Sequence, residues 1–114
     1  MTVNLQTQGA ISVLVPSGRI GTIEMERMKN VLQKLLHRGK KQVVVNLECV
    51  PDLCWRGIGT LFEKSSEFRS QKGELKIAGL NESLRSIFRA LGANRKLDLY
   101  DSEAAALRSF KPAK

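Results

Sequence analysis

The apolar residues of the chain follow two different periods, and the change from one to the other predicts an α/β fold. From Val3 to Leu5, and again from Ile11 to Val15, apolar residues recur at every second position, which is typical of β-strands with one buried face. Gln8-Gly9-Ala10 lies between these runs and has the composition of a turn, so we predict an antiparallel hairpin. Pro16-Ser17-Gly18 ends it.

Four later segments carry apolar residues at the three- and four-residue spacing of an amphipathic helix. Their apolar stripes run from Met25 to Leu36, from Ile58 to Phe68, from Leu84 to Leu91, and through an Ala-rich stretch to Leu107 and Phe110. We expect Thr22 to cap the first helix and Gly39 to end it, while Asn81 and Gly92 bracket the third. The last helix is expected to start at Asp101-Ser102-Glu103.

Three strands are predicted between these helices. Val43-Val44-Val45 is continuously apolar, as expected of a strand covered on both faces, and Leu75 to Ala78 and Leu97 to Tyr100 are shorter. Strands that alternate with helices in this way pair in parallel through right-handed crossovers. We therefore predict one α/β domain over residues 1–110, with a mixed four- to five-stranded sheet, an N-terminal hairpin and about four helices, followed by a short tail at 111–114.

The composition favours a single reduced, cytoplasmic domain. A length of 114 residues suits one domain, and no apolar run approaches the roughly 18 residues that span a bilayer. Residues 1–10 lack the pattern of a signal peptide, and two cysteines do not make a disulfide framework. The net charge of +8 favours acidic proteins, nucleic acid or an anionic membrane as partners, without choosing among them.

The segment from Val43 to Gly59 combines a buried strand, a short loop and a helix that opens with Gly57-Ile58-Gly59. It resembles the signature of STAS domains, the family of anti-sigma factor antagonists, whose loop usually carries Asp-Ser-Ser-Gly or Asp-Ser-Thr-Gly. With Asn46-Leu47-Glu48 and the two glycines aligned, the family Asp falls on Cys54, the phosphoacceptor on Trp55 and the next residue on Arg56. The strand–loop–helix frame is kept, and the phosphorylatable hydroxyl is replaced.

Other parts of the chain extend the resemblance. Ser17-Gly18-Arg19-Ile20 matches the family's turn after the hairpin, with Gly21 at its first acidic position, and Ala78-Gly79-Leu80 with the helix up to Gly92 resembles its closing strand and helix. The resemblance implies a STAS-like regulatory module that binds an anti-sigma factor or a related kinase-like protein without phosphoserine control.

The resemblance also indicates which residues contact the partner. The predicted contacts are Asp52, Leu53, Cys54, Trp55, Arg56 and Gly57, with Arg19, Thr22 and Glu26 as a second group. Trp55 is the expected anchor, Arg56 the charge partner and Gly57 the residue that sets the helix entry, since Trp and Arg are enriched in interface hot spots. The alternatives are that Trp55 packs into the core over Leu53 or Ile58, and that Arg56 is an ordinary solvated charge.

The sequence disfavours catalysis, metal binding and nucleic-acid binding. The third glycine of a nucleotide-binding loop would be Phe62, so we expect Gly57 and Gly59 to allow close helix–strand packing instead. Cys49 and Cys54 lack further metal ligands, since His37 is the single histidine, and no cofactor or enzyme activity is expected. Stacking aromatics are scarce, which argues against nucleic acid.

Three alternatives stay open at the level of the sequence. The domain could be a scaffold subunit of a signalling or transport assembly, a homodimer, or a STAS domain that binds a nucleotide or another small ligand. Arg85 and Arg89, one helical turn apart, are either a solvated face or a basic patch for an acidic partner.

Overall fold

A computed structural model of the protein describes residues 2–110, apart from the side chain of Asn94. The elements are β1 (Thr2–Gln8), β2 (Ile11–Ser17), α1 (Thr22–His37), β3 (Gln42–Asn46), α2 (Trp55–Ser70), β4 (Glu74–Ala78), α3 (Glu82–Ala90), α4 (Ala93–Lys96), β5 (Asp98–Tyr100) and α5 (Glu103–Ser109). This order confirms the predicted one, with the four-residue helix α4 as an addition. The predicted tail at 111–114 lies outside the described residues.

The five strands form one mixed sheet in the order β1-β2-β3-β4-β5. β1 and β2 pair antiparallel, with Leu5 opposite Leu14, and the remaining neighbours pair in parallel. The predicted α/β class, the antiparallel hairpin and the mixed sheet are therefore confirmed. Because β2 to β5 run in the same direction, the helices that follow β2, β3 and β4 all begin at one end of the sheet.

Each face of the sheet has its own apolar cluster, and this explains the unbroken Val43-Val44-Val45 run. Val43 and Val45 belong to the larger cluster together with residues of α1, α2 and α3, whereas Val44 packs on the opposite side with Ala106 of α5 and with Phe110. Side chains of a strand alternate between faces, so a strand covered on both sides needs apolar residues at every position.

The start of α1 differs from the prediction. Gly21, and not Thr22, occupies the N-cap, and its N–H donates to Oε1 of Glu24 at 2.9 Å. Backbone hydrogen bonds from Glu24 itself and from Gly21 lower the pKa of the Glu24 carboxyl. The hydroxyl of Thr22 favoured that residue as the cap, but the N-cap N–H is satisfied by the carboxylate of Glu24, three residues after Gly21.

The other predicted helix ends agree with the structure. Gly39 follows α1 with φ of +77°, the left-handed conformation that suits glycine after a helix. The side chains of Asn81 and Ser102 cap α3 and α5 by accepting from Leu84 N–H at 2.8 Å and from Ala105 N–H at 3.1 Å. Among the described helices, none is long and apolar enough to cross a membrane.

Candidate functional site

Two loops at the carboxyl ends of β2 and β3 are joined to each other. Ile20 and Leu53 pair in an isolated parallel bridge. The Ile20 N–H donates to the Asp52 carbonyl, and the Cys54 N–H donates to the Ile20 carbonyl, both at 3.0 Å. These bonds fix the first residues of α1 and α2 side by side, so residues far apart in the sequence form one surface.

A glycine brings the two helices into close contact beneath this surface. A Cβ atom on Gly57 would lie 2.9 Å from Cδ1 of Leu53 and 3.1 Å from Sδ of Met25 on α1. Gly59 is exposed, and a Cβ there would meet nothing within 4 Å. The expected close packing is found at Gly57, but against helix α1 and the loop residue Leu53 and not against a strand. At Gly59 the expectation is wrong, because a Cβ there would meet nothing.

Trp55 is the first residue of α2, and 67% of its surface is exposed. The alternative of a tryptophan folded into the core over Leu53 or Ile58 is thus excluded. Most of this large apolar ring is therefore available for burial against another molecule, which would stabilise a complex.

The two arginines near Trp55 differ in whether they have a carboxylate partner. Arg19 Nε lies 3.2 Å from Asp52 Oδ2, and Asp52 Oδ1 also accepts from the Leu53 N–H at 3.0 Å. Arg56 is exposed and makes no ion pair among the described residues. The first turn of α2 carries no acidic residue, and its N-cap Cys54 makes no side-chain hydrogen bond. This end of α2 therefore combines the positive end of the helix dipole with a free guanidinium group.

The structure brings the predicted contact residues to one end of the molecule but does not expose them all. The exposed ones are Arg19, Thr22, Glu26, Asp52, Trp55 and Arg56. Leu53 and Gly57 are buried and Cys54 is half-buried, so these three hold their neighbours in place and offer little side-chain surface to a partner.

One exposed apolar residue at this end was missed. Ile23, the second residue of α1, is 70% exposed and lies three residues after the bridge at Ile20. Trp55 lies two residues after the bridge at Leu53, so both apolar side chains flank the joined loops. The sequence did contain a signal, since Ile23 is out of phase with the buried stripe that begins at Met25.

A separate cavity of about 260 Å³ lies at the carboxyl ends of β4 and β5. Its lining includes Arg85, Arg89, Tyr100 and Asp101. Arg85 Nη2 lies 3.3 Å from Asp101 Oδ1. Of the two arginines that line the cavity, Arg85 therefore already has a carboxylate partner. Within residues 2–110, no group of three His, Cys, Asp or Glu residues could hold a metal ion.

Comparisons with known proteins agree with this architecture. The sequence profile of the STAS domain matches residues 2–106, and comparison with curated protein sequences gives no match. A Thermotoga maritima protein assigned as an anti-sigma factor antagonist superposes with a TM-score of 0.87 at 16% identity, over 93% of this chain and 92% of that one.

Two further solved structures come from different functional settings. An anti-sigma factor antagonist from Mycobacterium paratuberculosis gives a TM-score of 0.86 at 17% identity, over 95% of this chain and 92% of its own. A sulfate transporter family protein from Wolinella succinogenes gives 0.77 at 18% identity, over 90% and 86%. Identities this low establish a shared fold and leave function open. The family profile covers nearly the whole chain, and the protein therefore belongs to the STAS domain family.

Proposed function

We propose that the protein is a regulatory binding module that resembles the anti-sigma factor antagonists and docks on an anti-sigma factor or a related kinase-like protein. The contact would be the Trp55 surface, which we define as the exposed residues at the starts of α1 and α2. These residues are Arg19, Thr22, Ile23, Glu26, Asp52, Trp55 and Arg56. The observation that carries the proposal is the 67% exposure of Trp55 at the start of α2.

The physical argument rests on the free energy available from burying Trp55. Aromatic side chains bury about 150–250 Å² each, and apolar area contributes about 25 cal/mol per Å² when it leaves water. Exposed Trp and Arg residues that become desolvated in a complex are typical hot spots, worth about 2 kcal/mol or more on truncation. Ile23 would extend the apolar centre, and Arg56 would meet a carboxylate or phosphate of the partner.

The same surface supports binding without phosphoserine control. In the alignment with the family signature, the phosphoacceptor position falls on Trp55, whose indole has no hydroxyl. A phosphate at a helix N-terminus adds charge that can disrupt a docked partner. Without an acceptor at this position, binding would be constitutive, and regulation would lie in the partner. In this proposal the protein is cytoplasmic and is not an enzyme.

The test is affinity purification from the native host with wild type, Trp55→Ala and Leu91→Ala as baits. Leu91 is also an exposed apolar residue, at 40%, but it lies at the end of α3. We expect a kinase-fold or anti-sigma protein, identified by mass spectrometry, with wild type and Leu91→Ala and not with Trp55→Ala. Recovery of the same proteins by all three baits would remove the Trp55 surface as the docking site.

A scaffold or dimer role is the second candidate, and the edge strand β1 favours it. β1 pairs only with β2 in the sheet, and Leu5 in its centre is 51% exposed. An exposed edge strand can pair with another chain through its backbone. Light scattering after size-exclusion chromatography tests this role, because a dimer that Leu5→Lys dissociates would favour it and a monomeric wild type would count against it.

A further inference from the structure

Eight exposed Lys and Arg residues gather at the end of the domain opposite Trp55. We call them the basic end: Lys34, Arg38, Lys40, Lys41, Arg69, Lys72, Arg95 and Lys96. They lie where α1, α2 and α4 finish and where β3, β4 and β5 begin. The 16 residues of α1 separate the two ends, a length of about 24 Å at 1.5 Å per residue.

Backbone contacts show that these residues form one continuous surface. The Glu74 N–H donates to the Lys41 carbonyl at 2.8 Å, which places Lys41 beside the turn that contains Lys72. Nη1 of Arg69 donates to the Lys96 carbonyl at 3.3 Å and joins the end of α2 to α4. The four segments that carry the cations are thus neighbours in space.

The carboxylates near the basic end form ion pairs with two other lysines. Glu67 pairs with Lys64 at 2.7 Å, and Glu74 and Asp98 both lie 3.6 Å from Nζ of Lys76. Both of these lysines are buried. In the part of the chain that the structure describes, no residue of the basic end takes part in an ion pair.

The basic end stays strongly cationic when its neighbouring carboxylates are counted. The chain has 19 Lys and Arg and 11 Asp and Glu, so without these eight the remaining 11 cations equal the 11 anions. Counted together with Lys64, Lys76 and their partners Glu67, Glu74 and Asp98, the eight cations leave this end with a formal charge of +7.

The helix dipole accounts for only some of the cations in the basic end. Cations in the last turn of a helix are favoured by its dipole, which covers Lys34, Arg69, Arg95 and Lys96. Lys40 and Lys41 lie in the loop before β3, beyond this effect. Lys72 has φ of +64°, a left-handed conformation in which Gly or Asn is less strained. Lysine at this position adds a positive charge although its backbone conformation is strained.

We propose that the basic end docks on an anionic phospholipid surface. Cations near an anionic leaflet contribute about 1 kcal/mol each, and they act without a shaped pocket. The helices that finish here present carbonyl groups and not the N–H groups that bind individual phosphates, so the attraction is diffuse. Leu91, at 40% exposure just before Gly92, adds an apolar contact beside α4.

Lipid fits the basic end better than nucleic acid does. Proteins that bind single strands stack bases on exposed aromatic side chains. Among the described residues, the exposed large aromatic is Trp55, at the other end of the domain. Phe62 is partly buried, and Nζ of Lys96 already lies 5.8 Å from the centre of its ring.

The test is co-sedimentation with phosphatidylcholine vesicles, with and without one quarter phosphatidylserine, at low salt. The variant Lys40→Glu/Lys41→Glu changes the basic end, and Arg27→Glu/Arg85→Glu is the matched control near the starts of α1 and α3. Each double reversal removes four units from the net charge of +8. We expect binding of wild type only to the phosphatidylserine vesicles, and its loss on raising the salt to about 1 M, where the Debye length is about 3 Å.

The two double variants should differ. The basic-end reversal should weaken binding at least about 30-fold, since two cations contribute about 1 kcal/mol each and 1.4 kcal/mol is tenfold. The control should lose less than about threefold, because charges beyond a Debye length from the lipid are screened. Lys72→Gly should weaken binding about fivefold while it relieves the left-handed backbone, so a folding defect cannot account for the loss.

Trp55 reports the orientation of the bound domain. Docking through the basic end keeps Trp55 in water, so its fluorescence maximum should stay unshifted when wild type binds vesicles. A blue shift, equal losses in the two double variants, or no binding of wild type would each overturn the proposal. So would tighter binding to a DNA duplex or to polyglutamate that Lys40→Glu/Lys41→Glu abolishes, since the partner would then be a soluble polyanion.

Discussion

Ile20 and Leu53 form a single parallel bridge that joins the start of α1 to the start of α2. Both residues are buried, and three hydrogen bonds of 3.0 Å connect the loops around them. Because of this bridge, two loops that are about 30 residues apart in the chain form the Trp55 surface together.

Gly57→Ala should leave the protein less stable than Gly59→Ala. Alanine at Gly59 gains helix propensity of about 1 kcal/mol in open space. At Gly57 the same gain is offset by crowding of Leu53 and Met25, where overpacking costs about 1–3 kcal/mol. Urea denaturation should rank Gly59→Ala above wild type and Gly57→Ala below Gly59→Ala by at least about 1 kcal/mol. Equal free energies of unfolding would contradict the close contact at Gly57.

Trp55→Ala should leave the free energy of unfolding within about 0.5 kcal/mol of wild type, because exposed residues contribute little to folding. Phe68→Ala, at a fully buried residue of the same helix, is the comparison and should cost about 3–5 kcal/mol. Thermal and urea unfolding would measure both. A large loss of stability in Trp55→Ala would mean that the indole packs on the domain in solution. Failure of this variant to recover a partner in the affinity purification could then result from unfolding.

Glu24→Gln should destabilise the protein at neutral pH and have little effect in acid. The backbone hydrogen bonds that lower the pKa of Glu24 favour its ionised form in the folded state. This stabilisation is present above the pKa of the unfolded chain and is lost as the pH falls through the folded value. Melting temperatures of both proteins across the acidic range would test it, with Glu26→Gln on the same helix as the control. A pH-independent difference would exclude the capping carboxylate as the cause.

Lys76 should stabilise the protein up to high pH and cease to do so in strong alkali. Burial lowers the pKa of its amine, but the hydrogen bond with the Tyr100 hydroxyl at 3.1 Å and the carboxylates of Glu74 and Asp98 outweigh it and raise the pKa above 10.5. The contribution is present below the unfolded pKa and is lost as the pH rises through the folded value. The amine also lies 4.6 Å from the centre of the Phe110 ring.

Lys76→Met tests this environment, since it keeps the volume and removes the charge. The stability difference between wild type and Lys76→Met should shrink as the pH is raised above 10.5, measured by urea unfolding. Lys72→Met, at an exposed lysine before the same strand, is the control and should show no such trend. A difference that grows with pH would reverse the sign of the shift.

Local patterns predicted most of the fold, and their failures have local causes. The hairpin and the buried stripes of α1, α2 and α3 appear where expected, although Leu91 of the third stripe is exposed. The expected single buried face of the hairpin was wrong, since β2 places Leu14 in one apolar cluster and Val13 in the other. The cap at Thr22 was wrong, since Gly21 takes the N-cap position and its N–H donates to the Glu24 carboxylate. Helix α4 was not predicted, because four residues are too few to carry a period.

The candidate surface was predicted less completely than the fold. The family frame placed Trp55 at the start of a helix, and Arg56 beside it, but no pattern decided whether the indole faced the core or water. Ile23 was missed, although its position out of phase with the buried stripe of α1 indicated that it faces water. The basic end was not predicted either, because its eight cations come from four separate segments between Lys34 and Lys96.

The sequence by itself determined the order of the elements and the family frame, and it predicted that Trp55 occupies the phosphoacceptor position of the family. These features depend on residue identity and short-range spacing, which a linear chain displays directly. Only the tertiary structure decided that Trp55 is exposed, that Gly57 and not Gly59 is tightly packed, and that the positive charge collects at one end. Those properties arise when parallel strands bring distant loops together, so they depend on distances in space that separation along the chain does not encode.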